Sequence, residues 1–200
     1  MPKDKNPLPN IVFIMPDQLR ADFLPAYGCR GIDTPHLDAI TAESTVYDDA
    51  CSPYPLCVPA RAALLSGLSP LRSGVLSNGH WLHPERSEMG LKTWPDLLRE
   101  QGYYTASIGK MHFHPFESSE GFDERVICED KRWPKVHDDY AEFLAQRGLK
   151  KFDAREHPDY VSQMGAVCFP DGAELTPDFY VGERSEDFIN RQPVDRPFAL

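Results

Sequence analysis

Two hundred residues and 22.7 kDa make one domain or little more. Hydrophobic residues at 41% and charged ones at 26% suffice for a packed core and exclude a disordered chain. With Lys+Arg 21 against Asp+Glu 31, the net charge of −10 opposes docking by overall charge on nucleic acid or an anionic membrane, so any anion handled here must meet a local positive site.

In chain order, residues 10–15 read as a strand buried on both faces of a parallel sheet, stopped by Pro16 and followed by Asp17 and Gln18. That run is too short and too late for a signal peptide, and no segment approaches membrane-spanning length. Thr34 and Pro35 predict a helix through Leu37 and Ile40, and a short strand is expected over residues 45–50. Pro59 opens a second helix, built from Ala62, Ala63, Leu64 and Leu65 and ended by Gly67. Thr93 and Asp96 form a capping box for a helix over residues 94–101, with Gly102 as its stop and a strand over 103–108 next. Residues 138–147 predict a helix that packs through Tyr140, Phe143 and Leu144. Residues 150–175 form an irregular excursion, after which Thr176 and Pro177 open a helix to about residue 190.

Strands alternating with helices predict an α/β fold with a mostly parallel sheet, while 19 prolines exclude a coiled coil or simple bundle. Residues 197–200 resemble the opening of a buried strand, which leads to the expectation that residues 1–200 are the N-terminal part of something longer. Five cysteines (Cys29, Cys51, Cys57, Cys128, Cys168) with no CxxC pair suggest neither a disulfide framework nor a zinc ribbon. The expectation is therefore a soluble, cytoplasmic protein with no membrane or nucleic-acid partner.

Ligands in doubly wound sheets gather at the carboxyl ends of strands and the helix N-termini facing them. Three polar clusters fall at such places. Asp17 and Gln18 offer hard oxygen ligands for Ca²⁺, Mg²⁺ or Mn²⁺, although Asp17 alone would equally cap a turn. Cys57 lies at a helix start with Arg61 one turn on, where dipole and guanidinium both favour negative charge; a lone cysteine is otherwise a small buried apolar residue. Lys110 and His112 follow the strand over 103–108; in isolation they read as a solvated lysine and a loop histidine. Asn78 is a further candidate for the pocket, although Asn78-Gly79 is also a turn signal, and His80, His83 and His114 are candidates for its rim.

The run Cys57-Val58-Pro59-Ala60-Arg61-Ala62-Ala63-Leu64-Leu65-Ser66-Gly67 resembles the signature of the type I sulfatases, whose cysteine is oxidised after translation to formylglycine. Thr34-Pro35-His36-Leu37-Asp38 is similar to that family's T-P-N-L-D helix, with His36 for Asn. Residues 102–112 resemble its G-Y-x-T-x-x-x-G-K-W-H segment, with Met111 for Trp. Asp17-Gln18, where most members carry two aspartates, is similar to the branch of choline-sulfatase-like enzymes and phosphonate monoester hydrolases. The resemblance implies an alkaline-phosphatase-like, three-layer α/β/α sandwich and hydrolysis of an organic sulfate monoester, from a small molecule or saccharide.

It further implies a Cys57-derived formylglycine whose diol attacks sulfur, after which the second hydroxyl expels sulfate. Asp17, Gln18 and the modified Cys57 would hold one divalent cation, Ca²⁺ by family habit with Mn²⁺ and Mg²⁺ as alternatives. Arg61 would steady the diol, Lys110 would bind the sulfuryl oxygens, and His112 would hydrogen-bond the diol or assist its collapse. A formylglycine-generating enzyme is the implied maturation partner. Two alternatives stay open: a phosphonate monoester or phosphodiester hydrolase with the same machinery, and a non-catalytic binder of sulfated ligands.

Overall fold

Gly109 ends the central strand of a parallel sheet, and that ending positions the site described below. In the computed structural model, which describes residues 8–129, 138–193 and 196–200, strand β1 (Tyr104–Gly109) lies between β2 (Glu124–Ile127) and β3 (Phe198–Ala199). Both pairings are parallel, with Gly109 opposite Ile127 and Thr105 opposite Ala199. Ile11 adds a single parallel bridge to Ala199, its N–H donating to Phe198 O and its carbonyl accepting from Leu200 N–H, both at 2.9 Å.

The expected strand over residues 10–15 is thus reduced to Ile11. Phe13 and Ile14 are 51% and 71% exposed instead of buried.

Side-chain alternation along the strands divides two apolar layers. On one face Ile127 packs with Val58, Ala62 and Leu65 of α2 (Cys57–Ser66) and with Trp94 of α4 (Trp94–Glu100). The neighbouring Val126 points the other way, onto Tyr140 and Leu144 of α5 (Asp139–Ala145) and Tyr180 of α6 (Pro177–Arg191). Ala106 and Phe198 meet the fully buried Phe188 of α6, whose burial contributes about 1.5–3 kcal/mol. Helices on both faces of a parallel sheet give the predicted α/β/α layering.

Local signals explain most boundaries. Helix α2 begins at Cys57, two residues before the expected start; Pro59 sits in the first turn, where its missing N–H has no intrahelical partner to lose. Gly67 closes it at φ 68°. The Asp96 carboxylate accepts from Thr93 N–H at 3.1 Å, as the capping box requires. Asp138 caps α5 by accepting from Ala141 N–H at 2.9 Å. Two elements have no clear sequence signal: the single-turn α3 (Pro70–Ser73) and the four-residue β2. Between residues 150 and 175 the only helical turns are 3-10, at Ala154–Glu156 and Ala173–Leu175. None of the cysteines forms a disulfide, and no helix among the described residues is long and apolar enough to cross a membrane.

The structure divides into two units, Met1–Val12 with Tyr54–Leu200, and Phe13–Pro53. Taken by itself, the smaller has 3-10 turns at Ala21–Phe23 and Pro25–Tyr27, and helix α1 (Pro35–Ala42) after Thr34. The Thr34 hydroxyl donates to Asp38 Oδ1 at 2.9 Å, and Tyr27 OH to the Tyr47 carbonyl at 3.0 Å. No strand forms at residues 45–50, because this unit contains no second strand to pair with.

Candidate active site

Cys57 is the first residue of α2, half-buried, at the end where backbone N–H groups and the helix dipole favour negative charge. The preceding residue, Leu56, has no side chain able to cap the helix. Asn78 supplies the cap from twenty residues away, its Oδ1 accepting from Val58 N–H at 3.1 Å. The side chain singled out as a pocket candidate therefore holds the helix end that presents Cys57.

Arg61 lies one turn along α2, and its Nη1 donates to the Lys110 carbonyl at 2.7 Å. This bond joins α2 to the turn after β1. Gly109 starts that turn at φ 120°, a conformation that L side chains rarely adopt, although a Cβ there would meet nothing closer than Val181 at 3.7 Å. Backbone conformation, not space, requires glycine here. Lys110 Nζ then reaches 3.9 Å from Cys57 Sγ across fifty-three residues of sequence. Two positive side chains and a helix N-terminus thus supply the local positive site that a chain of charge −10 needs for an anion.

Met111 is buried in the core beside Phe113, with the Ser107 hydroxyl 3.2 Å from its sulfur. His112 is 5% exposed and adopts φ 53°, rare for a non-glycine residue, while its N–H donates to Glu129 Oε2 at 2.8 Å. One face of α2, from Val58 through Arg61 and Ala62 to Leu65, bounds a small hollow with His112, His114, Trp81 and Glu120. His114 meets Trp81 edge to face, with ring centroids 4.0 Å apart. The other two rim candidates serve local turns: His80 Nδ1 accepts from Leu76 N–H at 3.1 Å, and His83 Nδ1 from Glu85 N–H at 3.2 Å.

Three acidic or basic residues at this site lack any sequence signal. Arg86 and Glu120 form a buried ion pair at 2.9 Å, with side chains 8% and 4% exposed. Burial pushes the Glu120 carboxyl above its ordinary range, against the pull of Arg86 and the Ser118 hydroxyl. Glu129, in the run Cys128-Glu129, looks in sequence like one more solvated acid and is buried. Burial also pushes the neighbouring Cys128 thiol up to about 12, so it stays protonated at neutral pH.

Cys57, Arg61, Asn78 and Lys110 are thereby brought together in the larger unit, and His112 lines the hollow beside Arg61. Asp17 and Gln18 belong to the smaller one, where Gln18 has φ 59°. Among the described residues, no group of three or more His, Cys, Asp or Glu could hold a metal ion.

The profile of the sulfatase family matches residues 9–200. A ulvan-active sulfatase of Formosa agariphila is 36% identical over 129 residues, covering 60% of this chain and 24% of that protein. A choline-sulfatase of Rhizobium meliloti is 36% identical over 121 residues, covering 60% of this chain and 23% of that protein. The matched segments thus cover about a quarter of the length of these curated relatives. The crystal structure of a phosphonate monoester hydrolase of Agrobacterium radiobacter superposes with a TM-score of 0.67 at 19% identity, over 96% of this chain and 40% of that one. At that identity the likeness concerns the fold, and it agrees with the mixed α/β architecture built around a parallel sheet.

Proposed function

From the premise that this chain belongs to the sulfatase family, we propose that it carries the nucleophile of a hydrolase acting on organic sulfate monoesters, of small molecules or saccharides, with Cys57 matured to formylglycine. One observation carries the reading: Lys110 Nζ lies 3.9 Å from Cys57 Sγ at a helix N-terminus, and Arg61 ties down the same turn. Within an α/β fold that serves many chemistries, this is a local positive site of the kind that stabilises an oxyanion.

Sulfatases generally use a divalent cation and formylglycine. Asp17 and Gln18 fit such a cation in chemistry: a carboxylate and an amide carbonyl are the hard oxygen donors Ca²⁺ accepts, although two side chains supply fewer than the six or so oxygens it takes. We propose Ca²⁺ as the ion and those two residues as ligands. When present, the formylglycine supplies a nucleophilic hydroxyl and the cation a Lewis acid. The chain's own residues do the rest. The Lys110 ammonium binds sulfuryl oxygens as their charge grows, and Arg61 keeps that lysine's main chain fixed against α2. A ring nitrogen of His112 would hydrogen-bond the hydroxyl borne by residue 57 or assist its collapse. Asn78 acts through the helix end it caps. The proposed maturation partner is a formylglycine-generating enzyme, and the proposed compartment is the cytoplasm.

Gln18 favours a second reading. A neutral ligand in place of a carboxylate lowers the ligand charge by one unit, which suits a different ester charge, and phosphonate monoesters share the in-line geometry. The test has two parts, on protein co-expressed with the maturing enzyme. Mass spectrometry of the Cys57 peptide should show a loss of about 18 Da, the change from thiol to aldehyde. Turnover of para-nitrophenyl sulfate should exceed that of para-nitrophenyl phenylphosphonate; the reverse order would select the phosphonate reading. An intact thiol with no turnover of either ester would select a sulfated-ligand binder.

A further inference from the structure

The turn carrying Lys110 and His112 leaves the sheet in a strained conformation, and its outer end is fastened by an acid that the proposed chemistry does not use. The last rung between β1 and β2 is the bond from Cys128 N–H to the Gly109 carbonyl at 2.9 Å. Beyond it β1 turns away through Gly109 at φ 120° and His112 at φ 53°, and a left-handed non-glycine residue persists only where its surroundings hold it. One residue past that rung on the β2 side, Glu129 reaches across, and its Oε2 accepts from His112 N–H at 2.8 Å. A carboxylate acceptor makes this a charge-assisted bond, stronger than a neutral one.

Glu129 is itself held by its main chain. Its N–H donates to Asp138 Oδ2 at 2.8 Å, and its carbonyl accepts from Lys151 Nζ at 2.7 Å. Lys151 also pairs with Asp138, the residue that caps α5. The acid is 4% exposed and Asp138 is 6% exposed, so both ends of this chain of bonds are shielded from water. A buried carboxylate so restrained cannot drift with its partner.

We propose that Glu129 is a positioning residue: it fixes the main chain at His112, and through it the orientation of the imidazole and of Lys110 toward the Cys57 end of α2. The role rests on the proposed function only in naming what the turn is aimed at. The fixing of the turn stands on the hydrogen bonds of Glu129 alone.

Two variants of the intact protein, E129A and E129Q, test it, with two readouts. The first is amide hydrogen exchange. E129A should speed exchange at His112 by about tenfold or more, leaving the α2 amides at residues 61–66 unchanged, while E129Q, which retains an acceptor oxygen, should stay close to the parent protein. The second is kinetics on para-nitrophenyl sulfate. E129A should lower kcat by about 100-fold with KM nearly constant, as expected when reacting groups are misaligned while substrate binding is kept, and E129Q should recover most of it.

Unchanged exchange at His112 in E129A would overturn the proposal. So would an E129Q protein that protects His112 normally and yet has lost turnover, because that result assigns Glu129 a role through its charge. Should the parent protein turn over no ester, the proposed function falls, and the exchange measurement still decides the positioning role.

Discussion

Replacing Arg86 with methionine removes one charge from a buried pair while keeping most of the aliphatic volume. Glu120 would then hold a carboxylate 4% exposed, beside His112 in the hollow, with the Ser118 hydroxyl at 2.8 Å as its remaining side-chain donor. Removing one partner of such a pair costs about 3–5 kcal/mol, because the other charge stays buried without compensation. Neither side chain is exposed enough for solvent to screen that loss. The cost must also depend on pH. Glu120 already titrates above its ordinary 4.5 because of burial, opposed first by Arg86. An acid raised in this way binds its proton more tightly when folded, so stability falls as pH climbs past the ordinary value. Without Arg86 the rise is larger and the fall deeper. Urea unfolding of the parent protein and R86M should therefore show a large deficit at pH 8 that shrinks as pH approaches 4.5. In R86M/E120Q most of the deficit at pH 8 should disappear, since no carboxylate is left to strand. A deficit equal at both pH values, or a double variant as unstable as R86M, would refute the assignment of the cost to a buried charge.

Two other substitutions probe how the site is framed. N78A removes the oxygen that caps Val58 N–H and should cost about 1 kcal/mol in urea unfolding; an unchanged midpoint would mean that α2 needs no cap from this loop. G121A should cost about 2 kcal/mol or more, because a Cβ at φ 95° would stand 2.6 Å from Asp96 Oδ1 and 2.7 Å from Thr93 Oγ1, inside the capping box of α4. G148A is its control: its φ is 72° but nothing lies within 4 Å of the added carbon, so only the conformational cost of about 1–2 kcal/mol applies. Equal losses in the two alanine variants would show that the close approach at Gly121 relaxes freely.

What could be read from the sequence was whatever is encoded locally. The caps at Thr93, Asp138 and Thr176 and the αL glycine at Gly67 act within four residues, so those helices were placed to within a residue or two. The meeting of Cys57, Arg61 and Lys110 was also legible, because the α/β pattern sends strand ends and helix starts to the same edge. Pairing is different. Residues 10–15 have the composition of a buried strand, but whether they form one depends on pairing with residues far away in sequence, and here only Ile11 bridges, to Ala199. Glu120 and Glu129 escaped for a related reason. An acid reads as solvated unless its partner is known, and Arg86 lies thirty-four residues before one while the other meets a main-chain N–H.

The two tethers of the reactive turn share a property that bears on how such a site can be built. Arg61 grips Lys110 by its carbonyl, and Glu129 grips His112 by its N–H. Both act on the main chain, so neither tether consumes the ammonium or the imidazole on which the chemistry would draw. Met111 between them contributes apolar bulk to the core beneath, being 1% exposed, while the bonds that hold the turn are made by its neighbours' backbone atoms. A flexible thioether fills such a space as readily as a ring would, provided Gly109 supplies the bend. The main chain at Lys110 and His112 is thus held from behind by two groups of opposite charge, one on α2 and one just past the end of β2. Arg61 stands on a helix packed into the core through Val58, Ala62 and Leu65, and Glu129 is held by Asp138 and Lys151.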